Sequence, residues 1–390
     1  MNWRQTCAMD ERRSFILQVQ RGEGSISELC AVYGVSRKTG YKWLERYRDG
    51  GEAGLQERSR APLQHPNAID EVLIEQLLGL RRRYPSWGPR KLLDALRLDD
   101  EQRALPAIST AAAILKRHGL VKPRRRRRHT VPYGAPYTIA RAPNDLWAID
   151  FKGQFRTGNR RYCYPLTVSD AASRYLLGCQ GLDKPTYEAT HQHLECVFGE
   201  HGLPGAIRSD NGTPFASSGR IPISRLSLWW IKLGIVPERI QLAHPEQNGR
   251  HERMHRTLKQ SCSIEADLAR QQRALDRFRR EFNEQRPHQA LGGKTPAMVH
   301  VHSRRELPTR VPALHYPAEF EVRRIKASGE LCWRGERVYL SGVLAGELVG
   351  LSAIDDGLWQ IHVGAVAVAR IDANARIEPI DTFVVVPVLQ

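Results

Sequence analysis

The chain has 390 residues and carries 59 Lys and Arg against 42 Asp and Glu, a formal net charge of +17 at pH 7. This length predicts about two to four domains. A content of 41% hydrophobic and 26% charged residues excludes an intrinsically disordered chain. No apolar run approaches the roughly 20 residues of a membrane span, and the N-terminus shows no apolar stretch of a secretory signal. We therefore expect a soluble, multidomain protein of the cytoplasm with no membrane partner.

The positive charge is concentrated towards the N-terminus. Residues 1–130 hold 26 Lys and Arg and 15 Asp and Glu, which leaves a net charge of only +6 for the rest of the chain. A basic lobe of this kind is typical of binding to nucleic acid or an anionic membrane, although solvated surface charge gives the same count. The seven cysteines include no C-x-x-C pair, so we expect neither a disulfide framework nor a structural zinc finger.

Two short helices are predicted within Ser25–Tyr47. Gly34 breaks the helical period of the first, and Ser36 can cap the second. The apolar positions of the second helix are Tyr41, Trp43 and Leu44. Two helices joined by a glycine turn form a helix-turn-helix, whose second helix enters the major groove of DNA. We predict a DNA-binding domain over residues 1–62, with an ordinary helical hairpin as the alternative. The predicted DNA contacts are Arg37, Lys38, Lys42 and Arg46.

A weaker version of this pattern follows over residues 63–122. The predicted helices are Ile69–Arg83, Trp87–Leu96 and Ser109–His118. Gly119 is a natural end for the third helix. Three helices of these lengths fit a second helix-turn-helix domain, and a domain used only for packing is the alternative. The predicted DNA contacts are Thr110, Lys116 and Arg117.

A basic linker is predicted over residues 123–143. Its five consecutive arginines cannot fold on themselves, so beside two DNA-binding domains they are expected to follow the phosphate backbone. A localisation signal or a solubilising run is the alternative. These residues are Arg124, Arg125, Arg126, Arg127 and Arg128.

From Asn144 the pattern changes to the alternation of strands. A first strand contains Asp150, and the next elements are strands Arg161–Ser169 and Ser173–Gly181, helix Thr186–His201, strand Ala206–Asn211, helix Ser224–Gly234 and a helix within His244–Gln260. Asp170 is predicted in the turn between the second and third strands. Three strands, a helix, a strand and a helix is the order of an RNase H-like α/β sheet.

Three carboxylates mark these elements. Asp150 and Asp210 lie within or at the end of apolar strands, where an unpaired charge costs several kcal/mol, and Glu252 lies on the last helix. A metal site would offset that cost, because Mg²⁺ prefers a few carboxylates together with water and phosphate oxygens. Two ions about 3.5–4 Å apart assist in-line phosphoryl displacement. Joined to a basic lobe, such a site implies chemistry on the phosphodiester backbone.

Longer motifs around the carboxylates carry a resemblance to a known family. They are WAIDFKG (Trp147–Gly153), RSDNGTPF (Arg208–Phe215), LGI (Leu233–Ile235), HPEQNGRHERMHRTLK (His244–Lys259) and FNEQRPHQALGGKTPA (Phe282–Ala297). In this order they resemble integrase-core insertion-sequence transposases of the DDE type, the bacterial relatives of retroviral integrases. The resemblance implies an integrase catalytic core over residues 144–300. Its catalytic and metal-binding triad would be Asp150, Asp210 and Glu252, with two Mg²⁺ or Mn²⁺ ions as cofactors.

The same resemblance implies a function. A transposase of this family would bind transposon ends, hydrolyse one strand to free a 3′-OH and join that hydroxyl to target DNA. Because two ends are joined together, we expect a homo-oligomer, at least a dimer, associated with the nucleoid. A non-catalytic helix-turn-helix regulator and an RNase H-like nuclease that only cuts are the alternatives.

The region around the third carboxylate allows other interpretations. Glu246 precedes an Asn-Gly turn and competes with Glu252, and 41 residues separate Asp210 from Glu252, more than is usual in the family. The extra length is expected in Ala216–Leu226. His251–His255 spells H-E-x-x-H, a zinc-protease motif that we interpret as a chance match. The helix face after Glu252 is expected to reach DNA through His255, Arg256 and Lys259.

The C-terminal part is predicted to be β structure. Residues 301–317 are rich in proline and basic, which indicates a linker. Residues 318–390 show short alternating segments separated by glycine turns, which predict a small β-barrel or SH3-like domain that binds DNA or a neighbouring subunit. Trp333 and Trp359 are expected in its core.

Overall fold

The computed structural model describes residues 7–57, 68–121, 138–217, 221, 223–240 and 248–385. The chain divides into two compact units, Met1–Ile69 and Asp70–Gln390. The first unit contains the first predicted helix-turn-helix. The second unit contains the second predicted helix-turn-helix, the central sheet and the C-terminal strands.

The described residues of the first unit form the α-helices α1 (Ala8–Gln20), α2 (Ile26–Val32) and α3 (Arg37–Gly50). Ser25 and Glu28 form a reciprocal capping box at the start of α2. Ser36 caps α3 by accepting a hydrogen bond from the Thr39 backbone N–H at 3.2 Å. Gly34 has a φ of 63°, the left-handed conformation that favours glycine, in the turn between the two helices. The predicted helix-turn-helix is confirmed.

A small apolar core holds these helices together. Gly40 of α3 faces it, and a Cβ atom at this position would lie 2.5 Å from Sγ of Cys30, so only glycine allows the helices to approach this closely. Tyr41, which was predicted to be an apolar core position, is 52% exposed; that prediction is wrong because α3 turns Gly40 and Trp43 inward instead. The core residues are Phe15, Ile16, Leu29, Cys30, Trp43 and Leu55.

The second helix-turn-helix module, residues 68–121, contains α4 (Glu71–Arg83), α5 (Pro89–Asp99) and α6 (Ile108–Arg117). Gly119 follows α6 with a φ of 70°, as predicted. Arg81 of α4 donates to the carbonyl oxygen of Leu120 at 2.9 Å and so connects the two ends of the module. The buried faces of the three helices pack together through Leu77, Leu78, Leu92, Leu93, Leu96, Ala111, Ile114 and Leu115.

The central sheet has six strands: β1 (Leu146–Phe151), β2 (Phe155–Arg156), β3 (Tyr162–Asp170), β4 (Leu176–Leu182), β5 (Ala206–Ser209) and β6 (Val236–Arg239). β1, β3 and β4 are antiparallel neighbours, whereas β5 and β6 continue the sheet from β1 in parallel. β2 pairs with the first residues of β3. This mixed sheet confirms the predicted RNase H-like core. Asp170 is not in a turn; it ends β3, is 1% exposed and accepts from the Ser173 hydroxyl at 2.7 Å.

Helices cover both faces of the sheet. They are α7 (Tyr187–His201), α8 (Arg225–Lys232), α9 (Gly249–Ser261) and α10 (Leu268–Arg280), which continues into a π-helical turn, Glu281–Gln285. On one face Trp147 and Ile149 of β1 pack with side chains of α7 and α8. On the other face Leu176 and Cys179 of β4 pack with side chains of α9 and α10. The result is a three-layer core with its polar edge at the strand ends.

Seven strands form the C-terminal part: β7 (Glu321–Arg324), β8 (Glu330–Trp333), β9 (Glu336–Tyr339), β10 (Leu348–Asp355), β11 (Leu358–Val363), β12 (Val366–Asp372) and β13 (Ile377–Val385). Five of them make an antiparallel sheet in the order β13-β12-β11-β10-β7, and β8 and β9 form a separate hairpin. Trp333 is 2% exposed and contacts the Trp359 ring at 5.1 Å, as the core prediction requires.

The predicted small C-terminal β-barrel is not confirmed. Among the described strands, β7 and β13 lie at the two ends of the sheet and do not pair with each other. The physical reason is that apolar side chains of the central domain pack against the C-terminal sheet and bury its apolar residues. Ile223, Leu228 and Ile231, in and before α8, belong to the same buried cluster as the C-terminal strands. Lys232 also pairs with Glu347 at 2.5 Å.

No helix among the described residues is long and apolar enough to cross a membrane. All seven cysteines lie in the described ranges and none forms a disulfide, as expected from their scattered positions.

Candidate active site

Two of the three predicted carboxylates end adjacent parallel strands. In the pairing of β1 with β5, Ala148 lies opposite Arg208. Two residues further along both strands, the same register places Asp150 opposite Asp210. Asp210 directly follows β5, and its carboxylate accepts from the Gly212 backbone N–H at 3.1 Å. The parallel pairing therefore brings both carboxylates to one edge of the sheet.

The third carboxylate belongs to a helix that packs against β1. Glu252 lies in the first turn of α9 and is exposed. Two buried histidines on either side of it attach α9 to the sheet. His251 and His255 place their Nε2 atoms 2.7 Å and 2.6 Å from the hydroxyl of Thr167 in β3. Nδ1 of His251 lies 2.8 Å from the hydroxyl of Ser169. The position of Glu252 is thus set by histidines that bind the strand next to Asp150.

The Thr167 hydroxyl is the common partner of both imidazoles. It also lies 3.1 Å from the backbone carbonyl oxygen of Asp150, and its single hydrogen can be donated to only one of these three neighbours at a time. Burial lowers the pKa of His255 to about 4 and lowers the pKa of His251 well below its usual value, so both rings are neutral at pH 7.

The H-E-x-x-H motif is therefore part of the packing between α9 and β3. Both imidazoles are used in hydrogen bonds to hydroxyl groups, which agrees with its interpretation as a chance match to the zinc-protease signature. The expectation that His255 would reach DNA is wrong. The side chain of His255 is 10% exposed and points to the sheet, because α9 buries the face formed by His251, Met254, His255 and Leu258.

Burial and, for Asp150, neighbouring negative charges change the pKa values of the two aspartates. Burial, followed by the negative charges of Asp210 and Glu252, raises the pKa of Asp150 to about 7. Burial also raises the pKa of Asp210. Three carboxylates brought this close together form a site whose negative charge favours a cation.

Three basic side chains belong to, or directly follow, the elements that carry Asp150 and Glu252. Arg256 and Lys259 lie on the exposed face of α9, as predicted. Lys152, which the sequence interpretation overlooked, is half-buried, and burial together with the charge of Lys259 lowers its pKa. It follows Asp150 by two residues. The alternation of side chains in an extended segment, by which residues i and i+2 share a face, was the signal that could have identified it.

The predicted DNA contacts in the two helix-turn-helix modules are distributed as follows. Arg37, Lys38 and Lys42 are exposed on α3, whereas Arg46 is half-buried, with its guanidinium 5.0 Å from the Trp43 ring. The exposed predicted contacts on α6 are Thr110, Lys116 and Arg117. The five arginines of the linker, Arg124–Arg128, and the competing carboxylate Glu246 lie outside the described residues.

No group of three or more His, Cys, Asp or Glu side chains is arranged to hold a metal ion in the described ranges. The donor chemistry nevertheless fits a hard divalent cation. Asp150, Asp210 and Glu252 supply only carboxylate oxygens, the ligands that Mg²⁺ and Mn²⁺ prefer.

Family models match the regions in which these elements lie. An integrase core domain matches residues 140–245, and a second model, also described as an integrase core domain, matches residues 233–296. A helix-turn-helix domain matches residues 11–62, and a homeodomain-like domain matches residues 39–115.

Proteins of bacterial insertion elements are similar in sequence. The "Insertion element IS407 uncharacterized 31.7 kDa protein" of Burkholderia multivorans is 28% identical over 243 residues, which are 60% of this chain and 82% of that protein. The "Insertion element IS476 uncharacterized 39.2 kDa protein" of Xanthomonas euvesicatoria is 27% identical over 257 residues, 63% of this chain and 69% of that protein. Among solved structures, the HTLV-2 integrase catalytic core domain in complex with magnesium matches at 16% identity with a TM-score of 0.33, covering 41% of this chain and 99% of its own.

Proposed function

We propose that this chain is an insertion-sequence transposase of the integrase-core (DDE) family, which binds the ends of its mobile element and joins them to target DNA; the integrase core models and the similar insertion-element proteins support this. The observation that carries the proposal is the meeting of Asp150 and Asp210 at one sheet edge, beside a helix that presents Glu252. Under this proposal Asp150, Asp210 and Glu252 are the catalytic residues, and the substrate is the phosphodiester backbone of DNA.

The three carboxylates would hold Mg²⁺ or Mn²⁺, with two ions as the expected number. The raised pKa of Asp150 supports this, because acids that repel one another gain most from a divalent cation. When bound, the ions activate the attacking oxygen and stabilise the leaving oxygen.

The chain's own residues position the DNA for this chemistry. Lys152, Arg256 and Lys259 offer cations beside the carboxylates, where they neutralise phosphate charge. His251 and His255, by fixing α9 to Thr167, keep Glu252 at the sheet edge. Water is the nucleophile in the first step, which frees a 3′-OH, and that hydroxyl attacks target DNA in the second step. No covalent enzyme intermediate is needed.

The helix-turn-helix modules would recognise the transposon ends. The exposed faces of α3 and α6 present the residues that suit phosphate and base-edge contacts, and the Arg124–Arg128 linker would add further phosphate contacts. Because both ends must be joined together, the active form is proposed to be at least a dimer.

The test compares three substitutions with the unmodified chain. Asp150→Asn, Asp210→Asn and Glu252→Gln each remove one charge with little change in shape. We expect each to abolish strand cleavage and joining while electrophoretic mobility shifts on DNA persist. Retention of strand transfer by all three variants would contradict the proposal. Cleavage without joining by the unmodified chain would favour a nuclease, and metal-independent binding without cleavage would favour a regulator.

A further inference from the structure

The second helix-turn-helix module contacts the final part of the catalytic core through a small buried surface. The hydroxyl of Tyr84, directly after α4, donates to Oε1 of Gln285 at 2.5 Å. Nζ of Lys91 in α5 donates to the carbonyl oxygen of Pro287 at 2.8 Å. We call this surface the junction; it consists of Tyr84, Trp87 and Lys91 on the module and Gln285, Arg286 and Pro287 on the core.

Aromatic and cationic side chains fill the junction. Trp87 is 1% exposed and stacks on the Tyr84 ring at 3.9 Å. The guanidinium of Arg286 lies 5.9 Å from the Trp87 ring. Burial, followed by the charge of Arg286, lowers the pKa of Lys91 to about 8. Lys91 has therefore lost much of its contact with water, as a side chain does in a packed contact.

A close backbone approach adjoins the junction. Gly293 has a φ of 89°, and a Cβ atom there would lie 3.3 Å from Cγ of Asp94 in α5. The glycine therefore allows the core loop to approach the module more closely than other residues would.

The core side of the junction also contacts the helix that carries Glu252. Nη2 of Arg286 donates to the hydroxyl of Thr257 in α9 at 3.5 Å. Phe282, in the π-helical turn, is buried in one cluster with Met254 and Leu258 of α9. An unbroken series of contacts thus runs from the module through Arg286 and Phe282 to α9.

One face of α6 is exposed. In α6 the residues Ala111, Ile114 and Leu115 are buried, whereas Thr110, Lys116 and Arg117 are exposed. Since α4, α5 and α6 share one core, the exposed face of α6 is held at a fixed position relative to Tyr84 and Lys91.

We propose that the junction sets the cleavage position: it holds α6 at a fixed offset from α9, so that the place where α6 binds DNA determines which phosphodiester bond reaches the carboxylates. This inference rests on the proposed function. The junction residues are positioning residues, since they act through the module and α9. Each hydrogen bond that is lost would raise the population of other module placements by a factor of about 5.

The experiment uses the full chain and DNA that it selects itself. Duplexes bound by the unmodified chain are recovered from a random-sequence library, end-labelled and incubated with MgCl₂ or MnCl₂, and the cut sites are mapped to the nucleotide. The test variants are Tyr84→Phe and the double variant Tyr84→Phe/Lys91→Met. Tyr316→Phe is the matched control, because it removes a tyrosine hydroxyl that donates to the Leu348 carbonyl oxygen at 2.7 Å, within the C-terminal part.

We expect the unmodified chain and Tyr316→Phe to cut at one position. Tyr84→Phe should move a measurable share of the cuts to neighbouring phosphates, and the double variant should spread them further, while the affinity for the selected duplex stays the same. Loss of activity with the cut position unchanged would overturn the inference, because a merely structural role lowers the yield without moving the site. If the unmodified chain cuts no DNA with either metal, the proposed function itself fails.

Discussion

Nδ1 of His255 lies 3.7 Å from Oδ2 of Asp150, while Nε2 of the same ring lies 2.6 Å from the Thr167 hydroxyl. One imidazole therefore contacts the carboxylate at the end of β1, the neighbouring strand β3 and, through its own backbone, the helix that carries Glu252. This side chain therefore lies between the strand that carries Asp150 and the helix that carries Glu252.

The hydroxyl of Thr167 is the shared partner of this arrangement, and its removal should loosen α9. In Thr167→Val, the Nε2 atoms of His251 and His255 and the Asp150 carbonyl oxygen lose a buried partner, which costs about 1–3 kcal/mol for each unsatisfied group. We expect a lower urea midpoint and, because the displaced groups support metal ligands, an apparent Mg²⁺ affinity in the cleavage assay that is about 10- to 100-fold weaker.

Thr190→Val is the matched control for this prediction. Thr190 in α7 is 0% exposed, and its hydroxyl has no hydrogen-bond partner among the described residues. The same substitution there should be neutral or slightly stabilising, and cleavage should be unaffected. An equal loss of stability in both variants would contradict the role assigned to Thr167.

Lys152 is expected to support catalysis and not end recognition. Lys152→Met removes a half-buried cation beside Asp150, so cleavage should fall on the order of a hundredfold, while DNA affinity changes little. Lys152→Arg, which keeps the charge, should recover part of the activity. The rates are measured on the self-selected duplex at saturating protein. A rate equal to that of the unmodified chain in Lys152→Met would exclude this role.

Acid should destabilise the second unit through its buried histidines. Burial lowers the pKa of His193 from 6.5 to about 4, so the unfolded chain binds a proton in that interval and the folded chain does not. Stability is therefore lost as the pH falls from 6.5 towards 4. This one residue accounts for about 2 kcal/mol between pH 7.5 and pH 5. The pKa values of His201, His288 and His362 are lowered in the same direction.

The substitution His193→Gln tests this linkage. The difference between the unfolding free energies at the two pH values, measured by urea titration, should shrink relative to the unmodified chain. His118→Gln serves as the control, because His118 is exposed after α6. An unchanged pH dependence in His193→Gln would show that His193 does not contribute.

DNA binding should weaken as the salt concentration rises, and individual lysines of the modules should contribute to this dependence. If Lys38 and Lys116 each neutralise a phosphate, replacing either by Gln reduces the slope of log K against log salt by about 0.9. Lys184→Gln removes an exposed lysine of the central domain and should leave the slope unchanged. The slopes are measured by fluorescence anisotropy on the self-selected duplex. Binding by the unmodified chain that ignores salt would contradict an electrostatic contribution from the modules.

The local pattern of the sequence was sufficient for much of this fold. Ser36 and Gly119 are side-chain and backbone signals that act within one turn, so both helix boundaries were predictable. The strands that contain Asp150 and precede Asp210 were predictable because each is a short apolar run that ends in a polar turn. Their mutual placement was expected from the family resemblance, since nothing local specifies that β5 pairs with β1.

Features that depend on distant partners were missed. His255 was assigned to the DNA face because helical spacing defines neighbours but not which face is buried; its partner Thr167 is far away in the sequence. The strand β6, which pairs with β5, was not predicted. It is only four residues long and contains a proline and two charged residues, which are uncommon in strands. The C-terminal sheet was predicted to be a barrel because residues 318–390 alone contain no signal that α8 packs against this sheet.

The sharing of one core between α8 and the C-terminal strands has a consequence for synthesis on the ribosome. The apolar side chains of Leu228 and Ile231 leave the ribosome long before the strands that bury them, such as β10 and β12, have been made. At a synthesis rate of about 5–20 residues per second, this apolar surface stays exposed for roughly ten seconds in each nascent chain. A chain that ends before β10 would therefore leave Leu228 and Ile231 without the strands that bury them.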